Sequence, residues 1–390
     1  SSHRACLALS HTARVTRQEA DRARRRRAAT TTMATVATES PQQQQQTPAV
    51  LPDGRKVVDE VSGWLRVFDD GSIDRTWTGP PEALPLMQHV EPYAVPRDGH
   101  TLHDLPGEPD LRVYLPEVND SAGRLPVIVQ LHGGGFCISD PSWTLYHHFY
   151  ARLACAVPAV VVTAQLPLAP EHRLPAQIYS GVDVLRRLRT IVTSDAGALE
   201  DPAAKLLREA ADLSRVFLVG DSSGGNLVHH VAARVGADGP DVWAPLRVAG
   251  GVPIHPGFVR AERSRSELQA TADSVFFTLD MLDKFLAMAL PEGATKDHPY
   301  TCPMGANAPP LESVPLPPML VAVAEKDLIR DTNLEYCDAL RAAGKDVELL
   351  INRGMSHSFY LNKFAVDMDP TTGERTQELI DAIKTFVSRH

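Results

Sequence analysis

Ser222 carries the clearest chemical signal in the chain. It lies in the pentapeptide Gly220-Asp221-Ser222-Ser223-Gly224, directly after the apolar run 216–219 and directly before the helix-like segment 226–235. This is a G-x-S-x-G pattern in a strand-turn-helix setting, in which a sharp turn exposes the serine oxygen. The flanking glycines fit such a turn because they bring no β-carbon beside the serine. The sequence therefore predicts Ser222 as a nucleophile.

A run of three glycines upstream predicts a site that stabilises negative charge. The sequence His132-Gly133-Gly134-Gly135-Phe136 follows the strand-like run 125–131. Backbone NH groups in an HGGG-type loop can bind an oxyanion together with the NH of the residue after the nucleophile. A flexible connection between two elements is the alternative interpretation. We predict an oxyanion hole formed by Gly133, Gly134, Gly135 and Ser223.

An acid and a histidine follow two further strand-like runs. Asp327 comes after the run 318–324, and His357 comes after the run 347–351. The chain order serine, acid, histidine is one of the known orders of a catalytic triad, and crevices open at the carboxyl ends of strands in parallel sheets. Asp331 is the competing acid, but it precedes an amphipathic segment and is more typical of a helix terminus. We predict the triad Ser222, Asp327 and His357.

The elements that position these residues alternate between strand-like runs and helix-like spacing. Strand-like runs are 125–131, 157–163, 216–219, 248–254, 318–324 and 347–351, and helix-like segments are 177–191, 226–235, 279–290 and 374–389. Such alternation is typical of an α/β protein with a mostly parallel sheet. The segment 57–66 also has helix-like apolar spacing, and a turn signal follows at 69–72.

The glycine loop, the segment Leu168-Ala169-Pro170-Glu171-His172, the Ser222 turn and His357 follow one another along the chain. With these motifs in this order, the chain resembles plant carboxylesterases of the hormone-sensitive-lipase-like group over about residues 57–390. The resemblance implies an α/β-hydrolase fold, with a mostly parallel central sheet, helices on both faces and an N-terminal helical cap. The cap would come from about 57–110 and 275–300. Two positions depart from the pattern: Gln165-Leu166-Pro167 replaces a common tyrosine and basic residue, and Glu325 replaces a frequent glycine.

The resemblance implies a serine carboxylesterase that hydrolyses small-molecule esters through an acyl-enzyme intermediate. It assigns Ser222, Asp327 and His357 to the triad, and it places the N-terminal segment over the pocket. We therefore predict substrate contacts at Trp64, Phe68, Phe136 and Ser358, although aromatic residues in such a segment can simply pack the cap onto the core. The segments 58–67 and 75–81 are similar to the subclass that includes strigolactone-hydrolysing enzymes.

Two alternatives share this fold. Gibberellin receptors bind a ligand without hydrolysing it and lack the catalytic histidine, whereas this chain retains His357. A dehydratase or a lactone-forming transacylase would use the same pocket with another outcome. No metal and no organic cofactor are expected, because the chain contains no H-x-x-x-H, H-E-x-x-H or G-x-G-x-x-G pattern.

Composition narrows the class of protein. The chain has 390 residues, of which 43% are hydrophobic, so it can form one large core. Its net charge of -9 disfavours nucleic acid and anionic membranes as partners, and no apolar run is long enough for a membrane span. Five widely spaced cysteines indicate a reducing compartment, so we expect a protein of the cytoplasm that can also occur in the nucleus. We expect a monomer or a homodimer.

The N-terminal region does not read as folded protein. Residues 1–32 contain an arginine cluster at 24–27 and precede Met33, which offers an alternative start. We predict an unstructured leader, either translated upstream sequence or an organellar transit peptide, since transit peptides are Arg-rich and poor in acids. Residues 33–56 include five consecutive glutamines and read as a disordered Gln/Pro-rich linker. The predicted hydrolase domain is then 57–390.

Overall fold

The structure is a computed structural model that describes residues 54–118, 123–269 and 277–390. The predicted leader at 1–32 lies outside the described residues, as does the predicted linker up to residue 53. The first two residues of the predicted second cap segment, 275 and 276, lie outside them as well.

A nine-stranded sheet forms the centre of the domain, and a separate three-stranded sheet precedes it in the chain. The strands are β1 (Val57–Val61), β2 (Leu65–Phe68), β3 (Ile73–Asp74), β4 (Tyr93–Arg97), β5 (His100–Leu105), β6 (Leu111–Pro116), β7 (Leu125–Leu131), β8 (Val160–Ala164), β9 (Ala211–Asp221), β10 (Val248–Ile254), β11 (Met319–Ala324) and β12 (Val347–Asn352). The central order is β12-β11-β10-β9-β7-β8-β6-β5-β4. Strands from β12 to β8 pair in parallel and the last three pairs are antiparallel, which confirms the predicted mostly parallel sheet.

Helices cover both faces of this sheet. The α-helices are α1 (Thr144–Ala156), α2 (Ala176–Thr193), α3 (Pro202–Ala210), α4 (Ser223–Asp238), α5 (Pro240–Trp243), α6 (Arg265–Gln269), α7 (Leu279–Ala289), α8 (Arg330–Ala342), α9 (Lys363–Met368) and α10 (Pro370–Arg389). Alternate residues of β9 enter opposite core clusters: Val216 and Leu218 pack with α2 and α4, whereas Phe217 and Val219 pack with α1 and α10. This explains why the central strands are continuous apolar runs, since both of their faces are buried.

The predicted bounds agree with the structure for most of the parallel strands and fail for the antiparallel strands at one edge of the sheet. β7 and β10 have the predicted bounds, and β11 and β12 differ from them by one residue. β8 begins at Val160 rather than at 157, because α1 extends to Ala156 and the chain then turns. The antiparallel strands β4 to β6 were not predicted. They carry short, partly exposed patterns rather than long apolar runs.

The predicted N-terminal cap is mostly β-structure rather than helix, apart from a 3-10 helix at Pro81–Met87, and it is shorter than predicted. The segment 57–66 is not a helix; β1 and β2 form an antiparallel hairpin joined to β3. The turn between them has positive φ at Ser62 (38°) and Gly63 (78°), the pair of angles that a type I′ hairpin turn requires. The N-terminal cap also ends before residue 93, because β4 and β5 belong to the central sheet. The predicted helix at 279–290 is confirmed as α7.

Two further expectations concern the state of the cysteines and the absence of a membrane-spanning segment. Four cysteines in the described residues, Cys137, Cys155, Cys302 and Cys337, are free thiols. No helix among the described residues combines the length and the apolar character that a bilayer span requires.

Candidate active site

The turn between β9 and α4 presents Ser222 in a strained backbone conformation. Its φ of 53° and ψ of -119° are costly for a residue with a side chain and persist only when the surroundings enforce them. The Ser222 NH donates to the Ile254 carbonyl at 2.9 Å, and the Ser222 carbonyl accepts from the Gly257 NH at 2.8 Å. A β-carbon on Gly220 would lie 2.4 Å from the Gly224 carbonyl oxygen. The predicted steric role of the glycines is thus confirmed.

Asp327 and His357 form a close, buried pair. His357 Nδ1 lies 2.6 Å from Asp327 Oδ2, and the two side chains are 8% and 0% exposed. The other carboxylate oxygen of Asp327 accepts the Ile329 NH at 3.1 Å, which holds the carboxylate in place. A carboxylate on Nδ1 stabilises the tautomer with its proton there, so Nε2 keeps the lone pair that a general base needs.

Ser222 and His357 line the same cavity, but no hydrogen bond joins them. His357 Nε2 is buried and has no hydrogen-bond partner among the described residues. Free hydrolase sites often have long or poorly aligned catalytic contacts that tighten when substrate binds. The structure therefore brings Asp327 and His357 together and places Ser222 in the wall of the cavity that His357 also lines.

Phe277 covers one face of the histidine, and the sequence offered no signal for this contact. The two ring centroids lie 4.1 Å apart with an interplanar angle of 28°. Phe277 directly precedes the cap helix α7 and also lines the cavity. Stacking of this kind restricts the rotation of the imidazole and shields it from water.

Two of the three loop glycines, Gly134 and Gly135, line the cavity. Gly134 and Gly135 have φ of 99° and 59°, line the cavity and donate no backbone hydrogen bond within the described residues. The Gly133 NH instead donates to Asp221 Oδ1 at 3.2 Å, which corrects its prediction as an oxyanion donor. Ser223 begins α4, where the first NH groups of a helix have no partner in the helix. Its hydroxyl accepts the Phe136 NH at 3.2 Å and ties the loop to the nucleophile helix.

A buried histidine supports the glycine loop from behind. His132 Nε2 accepts the Leu166 NH at 3.1 Å, so its proton sits on Nδ1, which lies 2.9 Å from the Gly133 carbonyl oxygen. Burial lowers the pKa of His132, which keeps the ring neutral at physiological pH. His132 therefore supports the loop and takes no part in proton transfer.

Arg75 connects the N-terminal cap to the same loop. Its guanidinium donates to the Cys137 carbonyl at 2.6 Å and to the Ala169 carbonyl at 2.9 Å, and it pairs with Glu171. The hydrogen bond from Arg75 lowers the pKa of the Glu171 carboxyl. The Leu168-to-His172 motif thus serves as an anchor for the cap and the oxyanion loop.

The two departures from the family pattern have structural roles. Gln165 donates from its side-chain amide to the Ser139 carbonyl at 3.2 Å and so closes the loop after β8. Glu325 Oε2 accepts the Gly354 NH at 2.7 Å, which ties the end of β11 to the loop that carries His357.

Asp221, beside the nucleophile, is a buried carboxyl with a perturbed pKa. Burial raises its pKa from 3.8 to about 7, although His357 and the Gly133 NH act in the opposite direction. Between these values the native protein binds more protons at this group than the unfolded chain does. Folding stability contributed by Asp221 therefore falls as the pH rises from about 4 to about 7, and is constant above that.

We expect Asp221→Asn to stabilise the protein more at alkaline pH than at acid pH. Asparagine preserves an oxygen for the Gly133 NH but cannot ionise, so the variant avoids a desolvation cost on the order of a few kcal/mol. The difference in Tm, variant minus wild type, should increase between about pH 5 and about pH 8.5. Differential scanning fluorimetry across this range measures it. A difference independent of pH would show that Asp221 is ionised throughout.

The cavity that contains Ser222 and His357 is apolar and aromatic. It encloses about 370 Å³. Its aromatic lining residues are Trp64, Trp143, Tyr146, Phe277, Phe285 and Phe359. Within the described lining, the charged groups are the carboxyls Asp221 and Asp369 and the titratable His357, and neither lysine nor arginine is present.

The structure separates the four predicted substrate contacts into two pairs. Trp64 and Ser358 line the cavity, and their contact with a substrate stays a prediction. Phe68 and Phe136 do not line the cavity, and the two residues are 1% and 3% exposed. Phe136 belongs to a hydrophobic core cluster, and its backbone has a positive φ of 66°. Both are corrected to packing residues.

One group of described residues has the spacing of metal ligands. The ligand atoms of His255, Asp327 and His357 lie within 4.8 Å of one another. Both nitrogens of His255 are already engaged, with the Ser358 NH at 3.0 Å and with Asn352 Oδ1 at 3.1 Å. His357 Nδ1 is bonded to Asp327. The cluster therefore fits a hydrogen-bonded support for the triad.

Comparisons with known proteins agree with this geometry. Residues 128–361 match the model of a family described as having the alpha/beta hydrolase fold. A protein of Arabidopsis thaliana named Probable carboxylesterase 6 is 34% identical, over 78% of this chain and 85% of its own. A gibberellin receptor of Arabidopsis thaliana is 35% identical, over 63% of this chain and 67% of the receptor. An esterase structure from Pyrobaculum calidifontis has a TM-score of 0.57 and 26% sequence identity, and the match covers 75% of this chain and 85% of the esterase. The chain belongs to the α/β-hydrolase family and, within it, to the group of plant carboxylesterases.

Proposed function

We propose that this protein is a serine carboxylesterase that hydrolyses small-molecule esters. The observation that carries the proposal is the buried Asp327–His357 pair, 2.6 Å apart, in the same cavity as a strained Ser222 turn. His357 accepts the proton of the Ser222 hydroxyl as its oxygen attacks the ester carbonyl. Asp327 orients the imidazole and stabilises its charged form.

The backbone would stabilise the intermediate. NH groups of Gly134, Gly135 and Ser223 donate to the oxyanion, and their pre-organisation by Arg75 and His132 means that little reorganisation accompanies the reaction. The alcohol leaves with the proton from His357. Water, deprotonated by the same histidine, then releases the acid from the acyl-enzyme and regenerates Ser222.

The alternatives differ in their outcome. A gibberellin-type receptor would bind its ligand without turnover, and the paired His357 favours catalysis over that reading. A dehydratase or lactone-forming transacylase would use the same site, and analysis of the products separates it from an esterase. Hydrolysis of a strigolactone stays a prediction from sequence resemblance alone.

A fluorophosphonate probe tests the proposed nucleophile directly. The activated serine of an esterase attacks the phosphorus and becomes covalently labelled. Peptide mapping of the labelled protein should find the adduct on Ser222, together with hydrolysis of p-nitrophenyl acetate and butyrate by the unlabelled protein. An adduct on another residue would contradict the assignment, and ligand binding without labelling or turnover would favour a receptor.

We expect a preference for neutral esters over anionic ones. Because no lysine or arginine lines the described cavity, a substrate carboxylate would be buried there without a partner. Mono-p-nitrophenyl succinate should therefore have a kcat/KM about tenfold or more below that of p-nitrophenyl butyrate. The two substrates have acyl chains of similar length and differ in the terminal carboxylate. Equal values for the pair would show that the cavity accommodates negative charge.

The cysteines and the net charge support proposals about location and partners. We propose a cytoplasmic protein, supported by the free thiols of the described cysteines. The net charge of -9 supports the absence of a nucleic-acid partner.

A further inference from the structure

His255 lies behind the catalytic histidine and has no role in the scheme above. It follows β10 directly, in a left-handed conformation with φ of 45°, and its side chain is fully buried. The centroids of the His255 and His357 rings lie 5.8 Å apart. A buried histidine at the carboxyl end of a parallel strand lies where functional groups of such sheets collect.

The hydrogen bonds of His255 determine its tautomer. The Ser358 NH lies 3.0 Å from His255 Nδ1, and a backbone NH can only donate. Nδ1 therefore carries the lone pair and Nε2 carries the proton. Asn352 Oδ1, 3.1 Å from Nε2, accepts that proton. Asn352, at the end of β12, thus selects the tautomer that Ser358 requires.

This chain of bonds ends at the residue next to the general base. Ser358 follows His357 and has a left-handed φ of 49°, so the peptide between them needs support. On the other side of His357, the Lys326 NH donates to the Met355 carbonyl at 2.9 Å. The loop is therefore held on both sides of the catalytic histidine, and His255 provides the support on the C-terminal side.

We propose that His255 is a positioning residue, which orients His357 by accepting the Ser358 NH and is itself oriented by Asn352. The inference rests on the proposed esterase function. Burial lowers the pKa of His255 to about 4, so Nδ1 stays an acceptor at neutral pH. Loss of the acceptor would let the 357–358 peptide rotate and move Nε2 away from the Ser222 hydroxyl. A displacement of about 1 Å in a catalytic group can cost about 100-fold in rate.

Paired substitutions at position 255 test the acceptor. Asparagine carries an oxygen at the position of Nδ1 and tolerates left-handed φ, whereas leucine has a similar shape without an acceptor. His255→Leu should lower kcat for p-nitrophenyl butyrate by about 10- to 100-fold, with KM nearly unchanged, because substrate binding does not involve this contact. His255→Asn should restore kcat to within a few-fold of wild type. Equal losses in both folded variants would overturn the proposal.

A second substitution covers the case in which His255→Leu fails to fold. Asn352→Leu removes the acceptor of the His255 Nε2 proton and leaves position 255 intact, so kcat should fall by about threefold or more. A Tm well above the assay temperature shows that the variant is folded during the measurement. The same substitution in the His255→Asn background should change kcat little, because the Nε2 proton no longer exists. Unchanged kcat in Asn352→Leu would contradict the role of His255. Absence of any hydrolysis by wild type would instead contradict the proposed function.

Discussion

Ser222→Ala is expected to lower kcat for p-nitrophenyl butyrate by about 10⁴- to 10⁶-fold, to the rate supported by the oxyanion hole and binding alone. The variant keeps the cavity and the Asp327–His357 pair but lacks the atom that forms the acyl-enzyme. Steady-state kinetics and loss of fluorophosphonate labelling measure the effect. KM or ligand affinity should change little, since the substitution removes one oxygen from the cavity wall and leaves the other lining residues in place.

A surface serine provides the matched control for this substitution. Ser388 is exposed in the last turn of α10, bonds only to the Thr385 carbonyl of its own helix, and does not line the cavity. Ser388→Ala should therefore keep wild-type kcat. Retention of more than about 1% of activity by Ser222→Ala would show that another nucleophile operates, because triad serines contribute far more than this.

Asp327→Asn is expected to lower kcat by about 10⁴-fold with little change in fold. An asparagine amide in this position no longer holds the His357 tautomer with its proton on Nδ1, so the lone pair on Nε2 is lost. Because the Ile329 NH can still bond to the side-chain oxygen, the local backbone should be preserved. The kcat of the purified variant and its Tm separate loss of chemistry from loss of folding.

Asp331→Asn is the matched control, since Asp331 was the competing candidate for the acid. Its carboxylate accepts the Ser266 NH at 2.8 Å and pairs with Arg330, whereas His357 Nδ1 bonds to Asp327. We expect its kcat to stay near that of wild type and its Tm to decrease, because a helix-terminal ion pair is weakened. The opposite pattern, with activity lost in Asp331→Asn and kept in Asp327→Asn, would reassign the acid.

The N-terminal hairpin shows where sequence reasoning has a physical limit. Apolar residues in 57–66 fit helical spacing, and short apolar runs do not distinguish a helix from a strand. The decisive features are local: Ser62 and Gly63 adopt two successive positive φ angles, which a type I′ hairpin turn requires and a helix excludes. The central strands were predicted correctly because short continuous runs rich in Val, Ile and Leu and bounded by turn signals are typical of strands buried on both faces.

The supporting residues of the site could not be predicted in the same way. Arg75 contacts a carbonyl 62 positions away along the chain, and His255 contacts a backbone NH 103 positions away. Each residue type is ordinary in its local sequence, since most arginines and histidines have structural or surface roles. Position after β10 was the one available sign for His255, because the triad acid and base also follow strands of this sheet.

The sequence by itself determined the turn at Ser222, the glycine loop, the strand-end positions of Asp327 and His357, and the parallel sheet, because each depends on local backbone requirements or on apolar runs that must be buried. The tertiary structure alone decided that the Gly133 NH bonds to Asp221 while Gly134 and Gly135 line the cavity. It alone decided that Phe68 and Phe136 are buried outside the cavity lining, that Phe277 lines the cavity, and that His255 accepts the Ser358 NH. The direction of an NH group or a side chain depends on backbone angles and on partners from distant parts of the chain, and only the folded arrangement brings these together.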